Sequence, residues 1–148
     1  MSTYTQILYH IVFSTKNREP SLLKENREQL FRYIWGISQK HNCFLIRING
    51  VEDHIHLLIR LHPSVALAAL VKDIKMSSHK FIKDQNLFPD FISWQEGYGA
   101  FTYSIKAKNK LINYIKNQEE HHKDVSYKDE LISLLEENKV MYEKRYLI

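Results

Sequence analysis

The sequence contains few cysteines, prolines and glycines. Cys43 is the only cysteine among 148 residues, which excludes an internal disulfide and a zinc site built from several cysteines. We expect this residue to be a small buried apolar side chain. Three prolines and four glycines leave no flexible linker between separate units, so residues 1–148 are expected to fold as one domain.

Long apolar runs are also absent. The longest covers residues 65–71, far fewer than the roughly 20 apolar residues that a membrane-spanning helix needs. Residues 1–4 have the features of neither a secretory signal nor a transit peptide. We therefore expect a cytoplasmic protein that does not associate with membranes.

Positive charge is concentrated in the first four fifths of the chain. The formal net charge is +4. Residues 1–118 contain 16 basic and 9 acidic residues, whereas residues 119–148 contain 5 basic and 8 acidic residues. A positively charged surface attracts polyanions, although many proteins of similar charge bind none. The distribution favours a nucleic acid partner without establishing one.

Apolar periodicity predicts six secondary-structure elements between residues 4 and 105. The predicted strands cover residues 4–15, 43–48, 53–61 and about 100–105, and the predicted helices cover 20–41 and 63–85. Asn49 and Gly50 are typical of a hairpin turn between the second and third strands. The order β-α-β-β-α-β predicts an α+β, ferredoxin-like (RRM-like) sandwich with an antiparallel sheet and two helices on one face.

Apolar stripes identify the side of each helix that faces the core. They consist of Leu23, Leu30, Ile34 and Ile37 in the first helix, and Leu67, Leu70, Val71, Ile74, Phe81 and Ile82 in the second. Residues 106–148 are expected to form a C-terminal helical extension, with helices at 106–122 and 127–138. Ser126 is the expected N-cap of the last helix.

Two histidines alternate with apolar residues on the third predicted strand. Because successive strand side chains point to opposite faces, His54 and His56 lie on one face and Ile55 and Leu57 on the other. The apolar pair suits the face that the helices cover, so the histidines are expected on the face left open. Two such imidazoles can bind a metal ion, but strand histidines more often make ordinary hydrogen bonds.

Tyr114 and Gln118 are four residues apart on a predicted helix and would share one of its faces. Taken alone, each is typical of an amphipathic helix. Beside His54 and His56, they would place a nucleophilic hydroxyl next to a metal site. Two neutral imidazoles and one amide oxygen leave coordination positions open, and they suit Mg²⁺ or Mn²⁺ shared with a phosphate.

Three short segments together resemble a known family. They are His54-Ile55-His56, residues 94–101 (WQEGYGAF) and residues 114–122 (YIKNQEEHH). The chain resembles the single-tyrosine HUH transposases of the smallest bacterial insertion sequences, the IS-two-hundred and IS-six-hundred-and-five group, over nearly its whole length. The resemblance implies one HUH endonuclease domain over residues 1–148, in which the extension at 106–148 carries the nucleophile.

The resemblance implies a DNA transposase that acts on single strands. Tyr114 would attack a phosphate to give a 5′-phosphotyrosine and a free 3′-OH. His54, His56 and Gln118 would bind Mg²⁺ or Mn²⁺, which would polarise the phosphate. The phosphotyrosine stores the phosphodiester energy, so strand joining needs no ATP. The DNA would carry a hairpin at each element end, and the protein would be a homodimer in which Tyr114 completes the active site of the other subunit.

Other basic residues and histidines are candidates for supporting roles. The candidates for contact with DNA phosphates are Lys16, Arg18, Lys72, Lys75, His79 and Lys83, of which the last four recur along one side of the second helix. A solvated basic helix face is the commoner explanation of such a row. His10, His121 and His122 are candidates for hydrogen bonds that support the metal ligands.

Two other classes of function remain open. A ferredoxin-like sheet can bind single-stranded nucleic acid without metal or catalysis. A replication initiator or plasmid relaxase would cut a strand by the same HUH chemistry. Such enzymes are usually larger, and they commonly have a third histidine where Gln118 stands here. The presence of Tyr114 together with both histidines argues against the first class, and the short chain with Gln118 argues against the second.

Overall fold

A four-stranded antiparallel sheet forms the centre of the protein, with the strand order β2-β3-β1-β4. In the computed structural model, which describes residues 2–147, the strands are β1 (Leu8–Ser14), β2 (Phe44–Gly50), β3 (His54–Arg60) and β4 (Gly99–Tyr103). The two central strands, β1 and β3, are paired on both sides. The predicted α+β, ferredoxin-like class is confirmed, since helices alternate with these strands in the predicted order.

Five α-helices pack on the two faces of the sheet. They are α1 (Arg27–Lys40), α2 (Leu67–Asp84), α3 (Lys108–Lys116), α4 (Gln118–His121) and α5 (Tyr127–Glu137). Short 3₁₀ turns cover Lys16–Arg18, Lys24–Asn26, Ile105–Ala107 and Lys144–Tyr146. Within residues 2–147, no helix combines the length and apolar character needed to cross a membrane.

The main core lies between the sheet and the pair α1 and α2. Ile55, Leu57 and Ile59 of β3 are fully buried there, as the alternation along this strand predicts. Most of the predicted helix stripe residues join them, and Cys43 is buried in the same cluster. The prediction for Cys43 as a small buried residue is confirmed.

The opposite face of the sheet is not open, contrary to the sequence-based expectation. Leu58 of β3 packs against Leu111 and Ile115 of α3. Val12 of β1 packs in a cluster with Leu134 of α5. These strand residues are apolar and face away from α1 and α2, so the extension gains buried apolar area by folding back over them. The predicted histidines on this face are therefore enclosed rather than exposed.

The predicted hairpin turn at Asn49 and Gly50 is wrong. Both residues belong to β2, where Gly50 pairs with Ile55, and the turn follows at residues 51–53. The glycine is required by close packing rather than by turn geometry. An added Cβ would lie 2.5 Å from the carbonyl oxygen of His54 and 2.7 Å from Cγ2 of Ile55.

Replacing Gly50 with alanine is therefore expected to destabilise the sheet beside the histidines. The clash is with backbone that is held by strand pairing, so we expect the free energy of unfolding to fall by about 1–3 kcal/mol. Gly36 on α1 is a matched control, because an added Cβ there meets nothing within 4 Å. Gly36→Ala should instead stabilise the protein by about 0.4–1 kcal/mol. Urea denaturation of both variants tests this, and equal effects would contradict it.

The first helix begins later than predicted. Residues 20–23 are not helical, and Leu23, expected in the apolar stripe, is 38% exposed. The neighbouring Leu22 is buried instead, and its N–H donates to the carbonyl of Glu52. This bond to the β2–β3 turn holds the segment away from helical geometry, and α1 starts only at Arg27.

The predicted helix at 106–122 is interrupted. Asn117 adopts φ −96° and ψ 22°, which ends α3 and starts the short α4. The side-chain amide of Asn49 donates to the carbonyls of Ile115 and Lys116 at 3.0 and 3.1 Å. These bonds satisfy carbonyls at the end of α3 and attach it to β2. At α5 the predicted cap is confirmed, because the Ser126 hydroxyl accepts from the N–H of Asp129.

Candidate active site

His54 and His56 lie side by side on β3 beneath α3 and α5. Both side chains are fully buried, and their ring centroids are 5.1 Å apart. Pairing with β1 places His54 opposite Ser14 and His56 opposite Val12. Because β3 is paired on both sides, the backbone that carries these imidazoles is held rigidly.

The ring of His54 is held in a single tautomer by Asp53. Its Nδ1 lies 2.7 Å from Oδ1 of Asp53, and a carboxylate only accepts hydrogen bonds, so this nitrogen carries the proton. In the neutral ring, Nε2 then presents a lone pair to the interior of the site. Metal-binding histidines are commonly oriented in this way. Burial lowers the pKa of His54, but hydrogen bonds with Asp53 and Glu130 outweigh burial and raise the pKa above its ordinary value.

The ring of His56 stacks on the ring of His10 and forms a hydrogen bond with it. The two rings are stacked at 5.0 Å, with Nε2 of His10 lying 2.7 Å from Nδ1 of His56. The pKa of His10 is lowered to about 3 and the pKa of His56 to about 4, mainly because both rings are buried. Both rings are therefore neutral near neutral pH. A neutral imidazole is the form that binds metal ions.

Tyr114 and Gln118 meet the two histidines within the same chain. The Tyr114 ring lies 5.8 Å from the His56 ring and nearly perpendicular to it. Gln118 is fully buried, and its Oε1 is 3.4 Å from Nε2 of His54. Although the helix is broken between them, both side chains reach the site. All four side chains therefore meet within one chain in this structure.

Glu130 of α5 occupies the centre of this group and was missed from the sequence. Its Oε1 lies 2.9 Å from Nε2 of His56. Its Oε2 accepts hydrogen bonds from the hydroxyl of Tyr114 and, at 3.1 Å, from the amide of Gln118. Glu130 is only 2% exposed. A signal was available, because this residue lies three positions after Tyr127 and four before Leu134, on the buried stripe of α5.

His122 and His121 also contact the carboxylate of Glu130. Nε2 of His122 is 2.9 Å from Oε1 of Glu130, and Nδ1 of His122 is 2.5 Å from the carbonyl of Val125. His121 is half-buried, with Nε2 at 3.4 Å from Oε2 of Glu130. Both histidines were predicted to act in support of the ligands, and the structure brings His122 into the centre of the site.

The charges of Glu130 and Tyr114 are coupled. Burial alone would raise the pKa of Glu130, but hydrogen bonds with His122, His54 and His56 lower it well below its ordinary value. The carboxylate is therefore ionised. Burial and the negative charge of Glu130 raise the pKa of Tyr114 above its ordinary value. The phenol thus keeps its proton and donates it to Glu130 in a hydrogen bond.

The donor atoms in this group fit a divalent cation. His54, His56, His122 and Glu130 each offer one ligand atom, and these atoms all lie within 4.8 Å of one another. Imidazole nitrogens and carboxylate oxygens are common ligands of divalent metal ions. Glu130 also places one buried negative charge in the site, which a cation would compensate.

The six predicted DNA contacts have different surroundings. Lys75 donates to the carbonyls of Gln95 and Gly97, and Lys83 donates to that of Phe91. Both ammonium groups therefore fasten the segment after α2, which the sequence did not predict. Lys72 and His79 line a cavity of about 720 Å³ beside that segment. Lys16 is exposed. Arg18 lines a cavity of about 370 Å³, and His122, Asp53 and Lys128 line the same cavity.

Comparison with known proteins finds one family. The family model described as "Transposase IS200 like" matches residues 3–118. The transposase for insertion sequence element IS200 of Salmonella typhimurium is 27% identical in an alignment over 122 residues that covers 78% of this chain and 78% of that protein. The ISDra2 transposase TnpA of Deinococcus radiodurans is 25% identical over 118 residues, covering 76% of this chain and 84% of that protein.

Two solved structures share the fold. A crystal structure of a transposase candidate from Deinococcus radiodurans R1 superposes with a TM-score of 0.62 at 23% identity, covering 80% of this chain and 95% of that chain. A REP-associated tyrosine transposase bound to a REP hairpin superposes with a TM-score of 0.63 at 17% identity, covering 84% of this chain and 76% of that chain. The family match includes His54, His56, Tyr114 and Gln118, and it ends before His122 and Glu130.

Proposed function

This chain belongs to the IS200-like transposase family, and from that premise we propose that it cuts and rejoins single-stranded DNA at hairpin-marked insertion-sequence ends through a phosphotyrosine on Tyr114. The observation that carries the proposal is the packing of the Tyr114 ring against the buried imidazole of His56, with His54 beside it, in a site that fits a divalent cation. The family is one of transposases, so the reaction class is strand cleavage and transfer.

Each residue of the site has its own role in the proposed reaction. The phenol oxygen of Tyr114 attacks the scissile phosphorus as the bond from phosphorus to the 3′ oxygen breaks, and the departing 3′ oxygen takes up a proton in exchange for the one that the phenol gives up. The products are a 5′-phosphotyrosine and a free 3′-OH, and strand joining is the reverse reaction. His54 and His56, with Gln118 beside them, would hold Mg²⁺ or Mn²⁺. The bound ion would supply Lewis-acid stabilisation of the charge that develops on the phosphate.

The hydrogen bonds around Tyr114 orient its hydroxyl. Glu130 accepts from the hydroxyl, and the ring packs edge-on against His56 and His10. The bonds from Asn49 to the end of α3 fix the helix that carries Tyr114 to the sheet that carries the histidines. Nucleophile and metal ligands are therefore held at a fixed separation before any DNA arrives, which lowers the entropy lost on reaching the transition state.

Single-stranded DNA with a hairpin is the proposed substrate. The REP-associated relative of the same fold carries a hairpin in its structure, which supports a hairpin here. Arg18 and Lys128 border the cavity that leads to His122 and are placed to contact phosphates near the site. Lys16, Lys72 and His79 are proposed to contact the strand farther away. Lys75 and Lys83 contribute less, because backbone carbonyls already occupy their ammonium groups.

The proposed function is tested by trapping the covalent intermediate. Hairpin-bearing single-stranded oligonucleotides are labelled at the 3′ end and incubated with the protein and Mg²⁺ or Mn²⁺, followed by a denaturing gel. The label should migrate with the protein, because the 5′ phosphate of the downstream fragment is attached to it. The same oligonucleotide labelled at the 5′ end should give a shorter free strand. A retarded complex on a native gel without any denaturant-resistant adduct would instead identify a binding module.

We further propose that each subunit of a homodimer contains a complete site, because the four side chains meet within one chain. Mixing or co-expressing Tyr114→Phe and His56→Ala chains tests this, since each is expected to be inactive alone. If each site used one chain for both residues, adduct formation would stay at background. If Tyr114 acted in the other subunit, random mixing would restore about a quarter of the wild-type sites. A restored signal of that size would overturn the same-chain assignment.

A further inference from the structure

Two ligand-type side chains of the site lie beyond the residues that the family match includes. The match ends at Gln118, whereas His122 and Glu130 follow it and lie at the centre of the site. We propose that His122 and Glu130 join His54 and His56 as direct metal ligands, in a site that prefers a first-row transition ion such as Zn²⁺, Co²⁺ or Mn²⁺ to Mg²⁺. This inference rests on the proposed function, because it concerns the ion of the same site.

Hydrogen bonding fixes which nitrogen of two rings faces inward. Nδ1 of His54 faces the carboxylate of Asp53, and Nδ1 of His122 faces the carbonyl of Val125. Both partners only accept hydrogen bonds, so both Nδ1 atoms are the donors. The Nε2 atoms are then the nitrogens that face the interior of the site and are available to bind an ion.

These two nitrogens converge on one carboxylate oxygen. Nε2 of His54 is 3.3 Å and Nε2 of His122 is 2.9 Å from Oε1 of Glu130. The rings of His54 and His122 are themselves 4.4 Å apart. One divalent cation placed among the three atoms could bind all of them together.

The spacing of the donors is that of a metal coordination sphere. Bonds of about 2.0–2.2 Å to nitrogen and oxygen ligands place neighbouring ligand atoms roughly 3 Å apart. Oε1 of Glu130 lies 2.9, 2.9 and 3.3 Å from Nε2 of His56, His122 and His54. Glu130 is itself held by the amide of Gln118 at 3.1 Å. Gln118 is thereby placed to orient the carboxylate.

The donor set determines which ion is preferred. Three imidazole nitrogens and one carboxylate oxygen form a borderline site, for which affinity rises from Mn²⁺ through Co²⁺ to Cu²⁺ and is lower again for Zn²⁺. Mg²⁺ prefers oxygen ligands and gives up its water reluctantly. We therefore expect the protein to bind Zn²⁺ and Co²⁺ more tightly than Mn²⁺, and Mn²⁺ at least about tenfold more tightly than Mg²⁺.

Titration of the full, metal-free chain with each ion, without DNA, tests the proposal. Calorimetry gives the affinities, and the visible spectrum of Co²⁺ reports nitrogen and oxygen ligands directly. Glu130→Gln and His122→Gln should each lower Zn²⁺ and Co²⁺ affinity at least about tenfold and alter the Co²⁺ spectrum. Glu136→Gln is the matched control for the first variant, because Glu136 is an exposed carboxylate on the same helix, and His62→Gln, at another exposed position, is the control for the second. Both controls should bind like the wild type.

Several outcomes would overturn the inference. Equal affinity of the wild-type protein for Mg²⁺ and Zn²⁺ would contradict the ion preference. This test does not depend on any variant. Circular dichroism verifies that Glu130→Gln and His122→Gln are folded. If both folded variants kept the wild-type metal affinity and Co²⁺ spectrum, neither residue would be a metal ligand. A Tyr114 adduct formed with Mg²⁺ alongside such results would leave the proposed function intact. Loss of affinity in the variants without any adduct in the wild type would support the metal site and reject the transposase reaction.

Discussion

Replacing Tyr114 with phenylalanine is expected to abolish covalent attachment of DNA to the protein. The substitution removes only the hydroxyl that attacks the phosphate, so adduct formation should fall at least about 10³-fold, to the detection limit. Hairpin DNA affinity should change by no more than about threefold, because a single hydroxyl is lost from a large basic surface. Denaturing gels of 3′-labelled oligonucleotides measure the adduct, and native gels or fluorescence anisotropy measure the affinity.

The control for this variant is another tyrosine of the same neighbourhood. Tyr103 lines the cavity beside Tyr114, and its hydroxyl contacts Asn138 at 3.5 Å rather than Glu130. Tyr103→Phe should form the adduct at the wild-type level. Loss of the Tyr114 hydroxyl also removes a hydrogen bond to a charged group, so a decrease of about 1.5–3 kcal/mol in unfolding free energy is expected. An adduct that persists in Tyr114→Phe would identify a different nucleophile.

Replacing His56 with alanine is expected to eliminate metal-dependent cleavage. His56 is fully buried and offers Nε2 to the group that fits a cation. A bound ion contributes several kcal/mol to transition-state stabilisation. Each ~1.4 kcal/mol corresponds to a factor of ten, so the single-turnover cleavage rate should fall at least about 10³-fold. Quenched reactions in Mg²⁺ and in Mn²⁺, with a chelator as the metal-free reference, measure the rate.

The His56 substitution also removes packing against His10, so folding needs its own control. Circular dichroism and hairpin DNA affinity should show a folded chain that still binds the strand. His10→Phe keeps an aromatic ring against His56 while removing the hydrogen bond to its Nδ1. A large loss of cleavage rate in His56→Ala with a smaller loss in His10→Phe would fit a metal ligand at His56 whose ring is oriented by His10. Wild-type cleavage by His56→Ala in either metal would show that the ion binds elsewhere.

Local sequence patterns were sufficient to predict the four strands and the face of the sheet on which the two histidines lie. Alternation along residues 54–60 depends only on strand geometry, so it predicted which side chains join the main core. The cap at Ser126 also depends on neighbours a few residues away, and it was predicted correctly. Elements whose determinants are close in sequence could therefore be predicted.

Features that depend on distant contacts were not predicted. Glu130 meets His56 across 74 positions, and only the folded extension brings them together. In the sequence it reads as an ordinary acidic residue near the start of a helix. Gly50 similarly reads as a turn residue, although its role is to let β2 approach the carbonyl of His54. The closure of the histidine-bearing face follows from apolar strand residues such as Leu58, whose partners on α3 lie far along the chain.

Glu130 stands between the imidazoles and the phenol, with one carboxylate oxygen facing each of them. As a ligand of the proposed ion, it would bring its negative charge next to any phosphodiester that the same ion holds. One divalent cation balances these two charges, so a strand bound there would leave the reaction centre nearly neutral. Before the strand arrives, the ion and Glu130 together carry only one net positive charge, so most of the attraction for a long strand is expected from the basic surface outside the site.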